Sequence, residues 1–204
     1  LGEGRMNTQF VLSKVGGTAF KRYWNPSGSN EYLVGLTIKD IAIIFQHQAT
    51  ANPTNYKQIG LDLRYITRSN YSDIYIGNYP IGLSADLGMA NPTSQPNARQ
   101  GYGIVLASTS SSDPAYSGGE VNILENIYMS GVKKGILIDA IEFFNSEYSS
   151  ASYMNKIINC EVSIAEKGLS QESKYGASNY IENLIVQSIR NATGSTEELY
   201  AIYI

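Results

Sequence analysis

The sequence predicts an all-β protein folded as a right-handed parallel β-helix, a solenoid of about five to six rungs. Three observations predict it. A short Asn/Asp-plus-strand pattern recurs along the chain, and a Gly-plus-strand pattern alternates with it. The composition, rich in Gly, Asn, Ser and Tyr, suits short strands joined by tight turns.

The first pattern is an apolar or neutral residue, any residue, Asn or Asp, then alternating apolar positions. It runs Ile38-Lys39-Asp40-Ile41-Ala42-Ile43, Tyr71-Ser72-Asp73-Ile74-Tyr75-Ile76 and Leu124-Glu125-Asn126-Ile127-Tyr128-Met129. Ile157-Ile158-Asn159-Cys160-Glu161-Val162 and Ile181-Glu182-Asn183-Leu184-Ile185-Val186 continue it. The second pattern is a small residue followed by alternating apolar positions. It starts at Gly60, Gly103, Gly135, Gly168 and Ala201, with spacings of 43, 32, 33 and 33 residues.

Strands of four to six residues cannot each sustain an ordinary sheet. Stacked in register roughly 4.8 Å apart, they form long parallel sheets around one apolar interior. Asn tolerates the left-handed backbone of a bend, and its amide can bond the neighbouring rung. The bend residues are therefore expected to form an internal Asn ladder, and Gly at the other bend to meet the same backbone demand. A β-sandwich of irregular hairpins also has short strands, but does not require this alternation.

The bulk numbers bound the function. The chain of 204 residues, 43% hydrophobic, supports one core, read as a single domain over 1–204 that is partial and uncapped at both ends. Charged residues make up 16% and the net charge is −3, with Lys and Arg scattered, so no nucleic-acid footprint is present. No run approaches a membrane span. Cys160 is the only cysteine and His47 the only histidine, which excludes an internal disulfide and a cysteine-rich zinc site. No metal or cofactor is expected.

With both patterns in place, the chain resembles the pectate-lyase-like β-helix superfamily as used in bacteriophage tailspike and tail-fibre proteins. Leu1-Gly2-Glu3-Gly4 followed by Thr8-Gln9-Phe10-Val11-Leu12 is similar to the first rung of such domains, and Leu36 to Ile43 resembles the next. The resemblance implies that Gly strands form one sheet and post-Asn strands another, with loops between them building a sugar-binding groove. It further implies a homotrimer in the virion tail, extracellular, touching other tail proteins and bacterial surface polysaccharide. Polygalacturonases of the superfamily use clustered aspartates with a Gly-His pair. Here the histidine sits in Phe45-Gln46-His47-Gln48 and no such cluster exists. A calcium-binding acidic group joined to a catalytic Arg, as in pectate lyases, is also missing from the pattern.

Repeat lengths are uneven, and the excess is read as loops at 46–59, 77–102, 107–120 and 140–153. Recognition normally sits on such excursions from a rigid scaffold. In each Gly strand the first and third residues after the glycine should point inward, and the second and fourth outward. The fourth positions include Arg64, Asp139 and Glu172. Asp139 and Glu172 would be outer neighbours roughly 5 Å apart, near the carboxyl separation of a retaining glycosidase. Glu142 and Glu147 are substitute partners from the adjoining loop. The second positions place Asp62 outward and make Val105 and Leu137 an apolar outer pair, a surface for a subunit or a covering loop. Asp62, Arg64, Tyr102 and Tyr116 are the candidate substrate-binding residues, tyrosine because a ring with a polar tip suits a sugar face.

Three functions fit this reading. The first is a phage receptor-binding segment that holds surface polysaccharide, with depolymerisation as its catalytic form. The others are a non-catalytic structural segment of a tail or fibre and a secreted bacterial polysaccharide lyase or hydrolase.

Overall fold

A computed structural model describes residues 8–12, 17–22, 32–45, 58–77, 101–106, 119–138, 154–163, 165, 167–170, 178–187 and 200–203. These residues contain strands and no helix. The chain opens with β1 (Gln9–Leu12) and β2 (Thr18–Lys21), followed by β3 (Leu33–Val34), β4 (Thr37–Phe45) and β5 (Gln58–Asp62). The next repeat is β6 (Ile66–Thr67), β7 (Asn70–Gly77) and β8 (Gly101–Val105). Then come β9 (Ile123–Glu125), β10 (Tyr128–Ser130) and β11 (Lys134–Leu137), and β12 (Lys156–Ile158), β13 (Glu161–Ser163) and β14 (Lys167–Ser170). The last are β15 (Tyr180–Glu182), β16 (Ile185–Gln187) and β17 (Tyr200–Tyr203).

Among the described residues every strand pairing is parallel, which a sandwich of hairpins would not give. The Gly strands make one six-stranded sheet, ordered β17-β14-β11-β8-β5-β2, here the glycine sheet. The Asn/Asp segments make a nine-stranded bend sheet. Its long members β4 and β7 run through their bends, whereas later repeats divide there into β9/β10, β12/β13 and β15/β16. The segment leading into each bend is thus a strand in its own right. β3 and β6 form a third, two-stranded sheet that the apolar pattern does not announce. β5 and β8 begin at Gln58 and Gly101, inside two of the stretches expected to be loops; most of those stretches lie outside the described residues.

The bend residues adopt the expected left-handed backbone. Asp40, Asp73, Asn126, Asn159 and Asn183 have φ of 57°, 55°, 54°, 51° and 52°. Their side chains do bond between repeats, Asn126 Nδ2 to Asp73 Oδ1 at 3.4 Å and Asn183 Nδ2 to Asn159 Oδ1 at 2.9 Å. However, none of the five is buried, so this is not the internal ladder. That ladder lies four residues earlier. The N–H of Leu36 donates to Ser69 Oγ (2.9 Å), that of Ser69 to Asn122 Oδ1 (3.1 Å), that of Asn122 to Asn155 Oδ1 (3.0 Å) and that of Asn155 to Asn179 Oδ1 (3.0 Å). Asn122 and Asn155 are buried, and their amides also donate to the Ile66 and Gly119 carbonyls at 2.9 and 2.8 Å. Leaving one such buried group unmet costs about 1–3 kcal/mol. The sequence signal was available as Asn-x-apolar-x-Asn at 122–126, 155–159 and 179–183.

Glycine at the head of each Gly strand answers a need for space rather than for positive φ. Added Cβ atoms at Gly60, Gly103 and Gly135 would lie 2.7, 2.6 and 2.6 Å from the carbonyl oxygen of the next glycine, and 2.6 Å from Ile76, Met129 and Val162 of the bend sheet. Backbone and opposing side chains leave no room for a methyl group there.

One apolar interior joins the two large sheets. Ile43, Ile76, Met129 and Val162 are level in the bend sheet, and Leu61, Ile104, Ile136 and Leu169 are level in the glycine sheet. All eight are fully buried in one cluster. Burying each such side chain contributes about 1.5–3 kcal/mol. The inward alternation expected after Gly60, Gly103 and Gly135 holds, since Leu63, Leu106 and Ile138 join the same cluster.

Candidate functional site

The outward positions of the glycine sheet place Asp62 and Arg64 together. Arg64 Nε donates to Asp62 Oδ1 at 2.6 Å and Arg64 Nη2 to Asp62 Oδ2, a two-pronged ion pair. The Asp62 side chain is 5% exposed and that of Arg64 23% exposed. The guanidinium occupies both carboxylate oxygens, so Asp62 acts as a fixed counter-charge that holds Arg64 in place. Arg64 is the more exposed member of the pair, and a guanidinium is a group suited to hydroxyl and anionic oxygens.

Tyr102 also faces outward, but as packing. Together with Ile59, Val105 and Leu137 it forms a buried cluster outside the glycine sheet. The apolar outer pair Val105 and Leu137 is therefore already covered within a single chain, which removes the sequence argument for a subunit contact at that point.

Asp139, Glu172, Glu142, Glu147 and Tyr116 lie outside the described residues. The register leading to the first two is in place: Ile136 is level with Leu169 and Leu137 with Ser170, and the Ile138 N–H donates to the Ser170 carbonyl at 2.9 Å. The described pairing stops two residues short of the level at which Asp139 and Glu172 would meet.

Sequence reasoning missed the outer side of the bend sheet. The register there brings Tyr75, Tyr128, Glu161 and Ile185 into one row, with Gly77, Ser130, Ser163 and Gln187 in the adjacent row. The repeat itself carried the signal, because the residues two and four after each bend must face outward when the bend residue's immediate successor faces inward.

Cys160 is that immediate successor. Burial, offset in part by backbone contacts, pushes its thiol up to about 11. It is an interior residue and not a reactive thiol.

No protein-family model, curated protein or solved structure matches this chain.

Proposed function

We propose that the chain is a stretch of right-handed parallel β-helix from a phage tailspike or tail-fibre protein, and that it recognises and depolymerises bacterial surface polysaccharide as a homotrimer. The observation that carries this reading is the pairing order: in both large sheets, strands of one repeat pair in parallel and in register with equivalent strands of the next. Such a stack holds outward side chains in level rows along a rigid face while the chain between strands varies in length, an arrangement suited to a long, repetitive ligand.

Asp62 and Arg64 supply a preorganised polar contact on the glycine sheet. In this reading Asp139 and Glu172, the fourth residues after Gly135 and Gly168 in the sequence, are the acid and nucleophile of the cleavage reaction. A neighbouring carboxylate raises the pKa of its partner, which suits one of the two for protonating the leaving oxygen.

Incubation with capsular polysaccharide and lipopolysaccharide, followed by assay of new reducing ends, tests the reading. Asp139→Asn or Glu172→Gln is expected to abolish the signal with binding retained. Cleavage that survives both substitutions would remove these carboxylates from the mechanism. Binding without cleavage in the unaltered protein would leave a receptor-binding segment, and neither would leave a structural one.

A further inference from the structure

On the outer side of the bend sheet Ala42, Ile44 and Tyr75 form a small buried cluster with Tyr128 packed against it, and the row continues past that cluster into more exposed side chains. Tyr75 and Tyr128 stack across adjacent strands, with ring centroids 5.6 Å apart and planes tilted by 34°. Tyr75 is buried, whereas Tyr128 is part-exposed. One face of the Tyr128 ring is taken by Tyr75, and the next strand on its other side brings Glu161 level with it.

The polar atoms of the row have a direction. Ser163 Oγ donates its single proton to Ser130 Oγ at 3.2 Å, so Tyr128 must be the donor in its 2.9 Å contact with Ser163. The tyrosine oxygen therefore keeps its lone pairs as an acceptor. Gln187 Nε2 donates to Glu161 Oε1, which fixes the carboxylate and leaves Glu161 Oε2 and Gln187 Oε1 as further acceptors. Ile185, 48% exposed, lies level with Glu161 and adds an apolar patch beside them.

We propose that Tyr128, Glu161, Ile185 and Gln187 form a second, separate binding site, specific for a neutral, hydroxyl-rich glycan. The aromatic and aliphatic surfaces match sugar C–H faces, and the row of acceptors matches sugar hydroxyls, which can all donate. A uronate or phosphate on the ligand would meet the Glu161 carboxylate and be repelled, which sets the charge class. The site rests on the polysaccharide reading above and adds to it a location and a selectivity.

The test is binding of the protein to an immobilised panel of bacterial capsular and O-antigen glycans, half neutral and half bearing uronic acid. Neutral members are expected to bind. Glu161→Ala and Gln187→Ala should each weaken that binding by about tenfold or more, with an unchanged circular-dichroism melt. Glu161→Gln should keep much of the neutral binding and newly admit uronate glycans, a change that a merely structural role would not produce. Neutral binding that is intact in both alanine variants would overturn this site and leave the polysaccharide reading standing. Binding confined to uronate members would overturn its selectivity, and no binding to any member would overturn both.

Discussion

At the scale of single residues, the most informative side chain is Cys160. Its sulfur lies 3.4 Å from the Ile158 carbonyl and 3.6 Å from that of Leu124, in the interior cluster. Burial raises its pKa from 9.0 to about 11. A raised folded-state value means that the native state holds its proton more tightly than the unfolded chain. The resulting stability is full below pH 9 and is lost as pH rises through 11. Denaturant midpoints should therefore fall across that window in the wild type more than in Cys160→Ala. At pH 8 the thiol should react with a labelling reagent only as fast as the protein unfolds; reaction at the rate of free cysteine would refute its placement. Tyr71 follows the same logic further up the scale. Burial pushes its hydroxyl well above the tyrosine range, and the nearby Ser69 hydroxyl offsets this only in part.

At the scale of elements, the glycine sheet depends on close approach. Gly103→Ala would put a methyl group 2.6 Å from both the Gly135 carbonyl oxygen and Met129 Sδ. Overpacking of this kind costs about 1–3 kcal/mol. A lowered denaturant midpoint without a changed slope is the expected readout, and an unchanged midpoint would show that the two sheets can separate locally. The strands themselves were legible in the sequence because a period of two survives in every repeat, from Leu61 and Leu63 to Ile136 and Ile138. Side-chain partnerships were less legible. Periodicity puts Asp62 and Arg64 on the outer side, but it does not state that one guanidinium fills both carboxylate oxygens. Nor does it separate an outward tyrosine that packs, Tyr102, from one that keeps some exposure, Tyr128. The buried ladder was misplaced by four residues because the three later repeats each offer two Asn positions, and only burial distinguishes Asn122 from Asn126.

At the scale of the whole molecule, one interior runs through successive repeats. Ile76, Met129 and Val162 are fully buried, and so are Ile104, Ile136 and Leu169 in the opposite sheet. Each repeat packs on the next, so Met129→Ala should speed amide exchange in β7 and β13 as well as in β10. Faster exchange confined to β10 would mean that the repeats open independently. The bends suggest how such an array tolerates change. Just before four of the five ladder positions, Gly35, Arg68, Val121 and Met154 share a left-handed backbone, with φ of 77°, 51°, 54° and 56°, yet share no chemistry. All four are exposed. What they have in common is the residue that follows, anchored by its N–H or side chain to the next repeat. The instruction to turn is thus written one position away from the residue that turns, and natural variation can redraw this outer margin, in charge, bulk or polarity, without erasing the instruction.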